Sequence, residues 1–286
     1  EVDSLTLTSD DQFMYFKGNK KHPGIYEIYR VTLADNTLQE ITNLNGMTDY
    51  KLSPDEQSLL LTHSSLVRPP ELYLQSVANQ SVSQLTQTTS QAFLDINWLA
   101  PDIVPIKSTH TEQPIYSRVY TPRDMQAGQK YKAVVFNHGA GYLQNSHLGW
   151  SGYFREFMFH NLLVQQGYVV LDMDYRASAG YGRDWRTAIY RQMGTPEIQD
   201  LKDGVEWLVA NLDVDAKRVG TYGGSYGGFM TFMALFNYPD LFQAGAALRP
   251  VSDWAHYNHG YTSNILNTPD IDPIAYERSS PIYFAE

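Results

Sequence analysis

Through the first hundred or so residues, apolar and polar positions alternate in short runs, the period-two pattern of strands with one buried face. Turn-rich clusters of Ser, Asp, Asn and Gly punctuate the runs. The pattern repeats itself: Ser9 falls against Ser53, Tyr29 against Tyr73, and Ile41-Thr42 against Leu85-Thr86, a period of 44 residues. Each copy reads as a Ser/Asp turn, an apolar strand, a second strand ending in Tyr-x-Ile-Tyr or Glu-Leu-Tyr-Leu, and a short polar hairpin. After Trp98-Leu99-Ala100-Pro101-Asp102 the pattern changes to strands alternating with helical stretches. Strands are predicted near Val104 to Lys107, Ile115 to Tyr120, Ala133 to Asn137, Tyr168 to Met173, Arg218 to Tyr222 and Ala244 to Leu248. Helices are predicted at about Tyr153 to Gln166, Pro196 to Asn211 and Tyr226 to Asn237. The helix from Pro196 has Thr195 as its expected N-cap and keeps Ile198, Leu201, Val205, Leu208 and Val209 at helical spacing.

These periodicities imply two kinds of architecture in one chain. A repeat of roughly 40 to 50 residues built only of short strands is the pattern of a β-propeller blade. Residues 1–98 are therefore expected to be about two blades of a partial propeller, lying against each other as four-stranded antiparallel sheets. Alternating strands and helices over 99–286 imply a mostly parallel sheet covered on both faces. A propeller needs at least four blades to close, so the expectation is a chain truncated at its N-terminus.

The candidate chemistry sits where the second pattern is clearest. Gly223-Gly224-Ser225-Tyr226-Gly227-Gly228 lies between the apolar run Arg218 to Tyr222 and the helical stretch Phe229 to Phe236. Strand, sharp turn and helix in that order make a nucleophile elbow, which lifts a serine hydroxyl clear of the sheet of an α/β-hydrolase. Glycine is expected at 223 and 227 because strand and helix approach too closely there for a side chain. Ser225 is thus the candidate nucleophile, and the N–H of the following Tyr226 is the candidate oxyanion donor. The Gly-rich turn His138-Gly139-Ala140-Gly141 at the end of another strand is expected to give a second donor, from Gly139 or Ala140.

Other polar groups carry weaker readings. Asp253, His256 and His259 follow the strand Ala244 to Leu248, but one short loop does not easily supply both a base for the serine and the carboxylate that orients it. As metal ligands, Asp-x-x-His-x-x-His would spread its side chains around a helix, so solvated or capping roles are expected, with no metal and no cofactor. Arg249 and Asp253 are candidate pocket-wall residues. Asp174 and Arg176 either contact substrate or pair to fix a loop. The 21 tyrosines are expected to serve packing rather than recognition.

Composition removes some function classes. The net charge of −10 and the absence of any Lys/Arg block argue against a nucleic-acid partner. The longest apolar runs fall well short of the roughly 18 residues that span a bilayer. Without cysteine there is no disulfide, thiol catalysis or cysteine metal site, and the compartment stays open.

The elbow, the segment Asp174-Tyr175-Arg176-Ala177-Ser178-Ala179-Gly180-Tyr181-Gly182, the turn Asn137-His138-Gly139-Ala140-Gly141 and the closing Ser280-Pro281-Ile282-Tyr283 together resemble the prolyl oligopeptidase family of serine peptidases. The dipeptidyl-peptidase and acylaminoacyl-peptidase branches are the most similar. The resemblance implies a propeller restricting entry to short peptides, over a hydrolase domain that cleaves the amide through an acyl-enzyme on Ser225. It also implies a triad in the order serine, aspartate, histidine, whereas only 61 residues follow Ser225 (286 − 225). The triad Asp and His are accordingly expected beyond residue 286, leaving this stretch catalytically silent by itself. In the dipeptidyl-peptidase branch a tyrosine hydroxyl assists near the Gly-rich turn, where this chain carries His138. An esterase or lipase on the same fold, and a non-catalytic propeller binding protein, are the alternatives. A homo-oligomer is an expected partner arrangement, since an open strand edge favours association.

Overall fold

The computed structural model describes residues 1–285. They form two compact units, one of Glu1–Ala100 with His147–Phe154 and one of Pro101–Ser146 with the residues from Arg155 onward. A single cut in the sequence at residue 98 differs from this division by moving 147–154 into the first unit. That segment is held there by Leu148 N–H donating to Gly24 O (2.8 Å) and Trp150 N–H donating to Ser64 Oγ (3.1 Å).

In the first unit β1 (Val2–Leu7), β2 (Phe13–His22), β3 (Ile25–Thr32) and β4 (Leu38–Glu40) form one antiparallel set. The strands β5 (Met47–Leu52), β6 (Ser58–Ser65), β7 (Arg68–Ser76) and β8 (Val82–Gln84) form a second, and a single parallel pairing of Tyr26 with Met47 links them. The two sets are the blades of a partial β-propeller. A short helix, α1 (Gln91–Leu94), follows with Ser90 capping it.

The repeat is visible atom by atom. Glu27 on β3 is fully buried and accepts from Thr42 Oγ1 and from the N–H groups of Leu44 (2.8 Å) and Asn45 (2.7 Å). Glu71 on β7 does the same for Thr86 Oγ1 and the N–H groups of Thr88 (2.6 Å) and Thr89 (3.2 Å), every partner 44 positions on. In each blade a carboxylate thus clamps the chain that leaves the outer hairpin, replacing the water its donors would otherwise keep. The turns follow a different offset: Thr8 Oγ1 donates to Asp10 and Gln12 N–H to the same carboxylate, as Ser53 and Gln57 do to Asp55, 45 positions on. Thr8, not Ser9, is therefore the counterpart of Ser53. The first blade has one more residue between turn carboxylate and clamp (27 − 10 = 17 against 71 − 55 = 16), and its β2–β3 register shifts between Gly18 and His22. Tyr15, Ile28, Ile41, Leu59 and Leu61 form the buried core of this unit.

The second unit holds a six-stranded sheet in the order β14-β13-β11-β12-β10-β9, from β9 (Asp102–Ile106), β10 (Ile115–Tyr120), β11 (Tyr131–Asn137), β12 (Tyr168–Met173), β13 (Val214–Gly224) and β14 (Ala244–Leu248). The strands β11 to β14 run parallel, while β10 and β9 pair antiparallel. Its helices are α2 (Phe154–Gln165), α3 (Arg183–Arg186), α4 (Pro196–Asn211), α5 (Tyr226–Asn237), α6 (His259–Leu266) and α7 (Pro273–Ser279). This is the α/β-hydrolase arrangement. In α4 the predicted stripe is buried at Ile198, Leu201, Val205 and Leu208, with Val209 partly buried at its margin. Its start differs from expectation: Thr195 is itself in helical conformation and makes no side-chain cap, so Gly194 N–H instead finds Glu197 (2.8 Å). Strand β12 lies between β11 and β10 with every residue after Tyr168 buried, and α5 lies across β13 and β14 with eight of its residues buried. Among the described residues no helix is long and apolar enough to cross a membrane.

The clamp makes a measurable claim about the first blade. Replacing Glu27 by Ala leaves three donors without their acceptor, and a loss of roughly 1–3 kcal/mol is expected. The shift of the urea midpoint checks it, and an unchanged midpoint would show that water substitutes fully for the carboxylate.

Candidate active site

Strand order places the site. Between β11 and its neighbours the chain changes direction of progress, with β12 on one side and β13 on the other, and open parallel sheets take their ligands at the C-terminal ends of strands at such a point. Register sets Asn137, the last residue of β11, directly beside Gly223 near the end of β13. The Gly-rich turn and the serine turn therefore emerge side by side.

Ser225 occupies the junction between β13 and α5 at φ 58°, ψ −117°. A non-glycine residue in that region costs on the order of 1–3 kcal/mol, and the surroundings enforce it. Ser225 N–H donates to Leu248 O (3.0 Å) and Phe229 N–H to Ser225 O (2.9 Å), so both backbone groups are tied. A Cβ on Gly227 would stand 2.0 Å from Asn137 O, one on Gly223 2.5 Å from the same oxygen, and one on Gly228 2.7 Å from Leu248 O. No side chain fits in these positions. Ser225 is half-buried, and its Oγ makes no hydrogen bond among the described residues. Tyr226 begins α5, so its N–H belongs to the first turn, which a helix leaves without internal acceptors.

The turn after β11 is anchored from below. Asn137 Nδ2 donates to Thr221 Oγ1 (2.9 Å) on β13 and Thr231 Oγ1 (3.2 Å) on α5. His138 is fully buried: its Nε2 meets Ser178 Oγ at 2.8 Å, its ring stacks on Tyr175 at 4.3 Å, and Tyr175 OH donates to its carbonyl at 2.6 Å. Burial lowers the His138 pKa to about 4, so this imidazole is neutral and engaged away from Ser225. Ala140 and Gly141 follow at φ 60° and 65°. A Cβ on Gly141 would stand 3.1 Å from the Tyr226 ring, so the turn rests on the residue next to the serine.

Asp174 and Arg176 fix loops. Asp174 accepts from the N–H groups of Asn145 and Ser146 (both 2.8 Å) and from Tyr181 OH (2.6 Å). Arg176 pairs with Asp200 (2.9 Å) and donates to Pro196 O and Gln199 Oε1. Arg249 follows β14 at φ 39°, exposed, with its guanidinium 3.4 Å from where a Gly224 Cβ would stand. It comes beside the serine turn. Asp253, His256 and His259 do not share one short loop: Asp253 caps a short 3₁₀ turn over Trp254–His256, the chain extends at Tyr257, and His259 opens α6. The Asp253 carboxylate meets His256 Nδ1 at 2.8 Å on an imidazole that is 85% exposed. Neither histidine hydrogen-bonds Ser225, and no group of three His, Cys, Asp or Glu among the described residues could hold a metal.

Two features escaped the sequence. Glu197, in the first turn of α4, accepts a hydrogen bond from Tyr226 OH deep in the core. It looked like an ordinary acid at a helix start. Tyr226 also belongs to an aromatic cluster, 5.7 Å from Trp254, which lies 5.4 Å from Tyr257 and 6.0 Å from Tyr261. The spacing Trp254-x-x-Tyr257-x-x-x-Tyr261, close behind a strand next to the elbow, was the available signal.

Comparison with known proteins agrees with this geometry. Residues 155–286 match the prolyl oligopeptidase family, and residues 1–70 match the dipeptidyl peptidase IV N-terminal region. Over residues 155–286 the chain is similar to the prolyl oligopeptidase family. It is 30% identical to dipeptidyl peptidase 8 of Mus musculus, over 96% of this chain and 32% of that protein. It is 27% identical to a probable dipeptidyl-aminopeptidase B of Aspergillus oryzae, over 93% of this chain and 30% of that protein. The fold matches the crystal structure of Porphyromonas gingivalis dipeptidyl peptidase 4 with a TM-score of 0.89 at 23% identity, covering all of this chain and 40% of that one. The chain thus spans about a third of the length of the curated relatives it matches.

Two expectations follow. Gly227→Ala should destabilise the fold by about 3 kcal/mol, because its methyl group meets backbone that cannot move aside. Gly152→Ala, with nothing within 4 Å of the new methyl, should leave the denaturation midpoint nearly unchanged and serves as the control. Burial raises the Glu197 carboxyl from 4.5 to about 7, so the folded state holds this proton more tightly than the unfolded chain. Its stabilising share is complete below about pH 4.5 and is lost as pH rises through about 7. The fall in stability between about pH 5 and about pH 8 should therefore be shallower in Glu197→Gln, read from urea midpoints at each pH.

Proposed function

We propose that the protein carrying this chain is a serine peptidase of short peptides, with Ser225 as its nucleophile. The observation that carries the reading is the strained, glycine-enforced serine turn set in register beside the 138–141 turn. Ser225 Oγ attacks the scissile carbonyl carbon and passes its proton to a base. The oxyanion that forms is met by Tyr226 N–H, and Gly139 in the adjoining turn is the candidate second donor. Collapse breaks the C–N bond, the protonated amine leaves, and water then hydrolyses the ester on Ser225 to restore the hydroxyl. We assign the base and its carboxylate to groups outside the described residues. The reading is supported by His138 being held by Ser178 and by His256 being paired with Asp253 on an exposed turn. Tyr257, nearly half exposed, and Tyr261, set edge-on to it over the buried Trp254, offer an aromatic surface for the residue that donates the acyl group. The relatives are named as peptidases, and neither the esterase nor the binding-protein alternative gains support from them.

A fluorophosphonate probe applied to the protein expressed from its full open reading frame should label Ser225. Ser225→Ala should abolish both labelling and hydrolysis of dipeptidyl anilides, while Asp253→Asn and His256→Ala keep their labelling. Labelling that persists in Ser225→Ala sinks the assignment, and its loss in His256→Ala would move the base into this chain.

A further inference from the structure

Against Tyr261 lies a cleft of about 910 Å³ whose other lining residues have no part in the chemistry above. Its size is that of a small-molecule site and exceeds what one side chain fills. Tyr142 and Tyr261, rings 5.9 Å apart, form one side; Arg186 and Tyr190 come from the segment around α3, and Asn258 and Asn264 from α6 and its cap. The wall of the cleft is tied to the turn beside the serine. Tyr261 OH donates to Ala140 O (3.3 Å), and the same turn rests through Gly141 on the ring of Tyr226, the neighbour of Ser225.

Charge selects the ligand. Arg186 is the one charged side chain lining the cleft, and among the described residues no carboxylate lies within 4 Å of its guanidinium. In a chain of net charge −10, a cationic cleft without an acidic neighbour runs against the general field. The guanidinium is steadied over the Tyr142 ring at 4.9 Å from its centroid, a contact that occupies none of its five N–H donors. The remaining polar groups are hydroxyls and carboxamides, and α6 opens on the cleft at Asn258, whose side chain accepts from Gly260 N–H. One guanidinium in a bed of neutral donors, flanked by aromatic rings, suits a single carboxylate on a peptide.

We infer that this cleft binds a carboxylate of the peptide substrate through Arg186. The inference rests on the peptidase reading and adds to it a substrate class, peptides with a negative charge near the bond that is cut. Two sources share that chemistry, the C-terminal carboxylate of a short peptide and an Asp or Glu side chain.

The experiment uses protein from the full open reading frame and three tetrapeptides of one sequence: the free acid, its C-terminal amide, and the amide with a Gln changed to Glu. Wild type is expected to cleave a carboxylate-bearing peptide with about tenfold higher kcat/KM than the neutral amide, mostly through KM. The advantage belongs to the free acid if the terminus is the source and to the Glu peptide if a side chain is. Arg186→Gln should bring that ratio toward one, Arg186→Lys should keep part of it, and added salt should reduce it in wild type. Equal rates on all three peptides in wild type, or a ratio that survives Arg186→Gln, would overturn the inference. Calorimetric binding of the acid and amide peptides to Ser225→Ala reads the cleft without catalysis. Absence of any hydrolysis therefore refutes the peptidase reading alone, and equal binding of acid and amide refutes the cleft.

Discussion

The carbonyl of Asn137 is the point on which the second unit turns. It ends the central strand β11, and the hypothetical methyl groups of Gly223 and Gly227 would both collide with it. Because both glycines lack a side chain, β13 and α5 close onto the end of β11, and Ser225 between them has no relaxed conformation to fall into. The side chain of the same asparagine bonds Thr221 and Thr231, one on the strand and one on the helix, so one residue positions all three elements. A strained turn persists only where its neighbours over-determine it, and here the determination is steric on one side and hydrogen-bonded on the other.

Around that point the unit buries charge to hold loops rather than to do chemistry. Asp174 gathers the 145–146 backbone and Tyr181, and Asp200 holds Arg176 against the start of α4. Burial raises both carboxyls to about 6, each opposed by the donors it accepts from. Glu197 extends the same logic to the serine turn, since its bond to Tyr226 OH orients the residue that follows Ser225. These are positioning interactions, and removing one partner leaves the other buried and unmatched.

The first unit solves a parallel problem by repetition. Each blade ends a hairpin in a stretch whose backbone donors would be stranded, and each supplies a strand glutamate to receive them, Glu27 and Glu71. The one-residue difference between turn and clamp is absorbed in a hairpin, where the strand register already shifts. A clamp can keep its spacing while the hairpin before it varies, because only the clamp has donors to satisfy.

Local order was legible in the sequence. Strand β12 and helices α4 and α5 lie at the predicted residues, the parallel strands follow the apolar runs, and the elbow is where Gly223 to Gly228 place it. Periodicity and glycine geometry are properties of neighbours along the chain, so a sequence states them directly. What the sequence did not contain is the pairing of distant side chains. Glu197 and Tyr226 meet across 29 positions, Tyr261 reaches Ala140 across 121, and Arg186 stands over Tyr142 with no motif to announce it. The 253–259 stretch reads as one short loop, yet the extended Tyr257 divides it into a 3₁₀ turn and the start of α6, leaving Asp253 and His256 to each other and His259 to α6. The sequence by itself determined the elements and the serine turn, because those depend on local sterics and burial period. Tertiary structure alone decided which polar groups surround that turn, because such contacts exist only once the sheet has brought the ends of β11, β13 and β14 together.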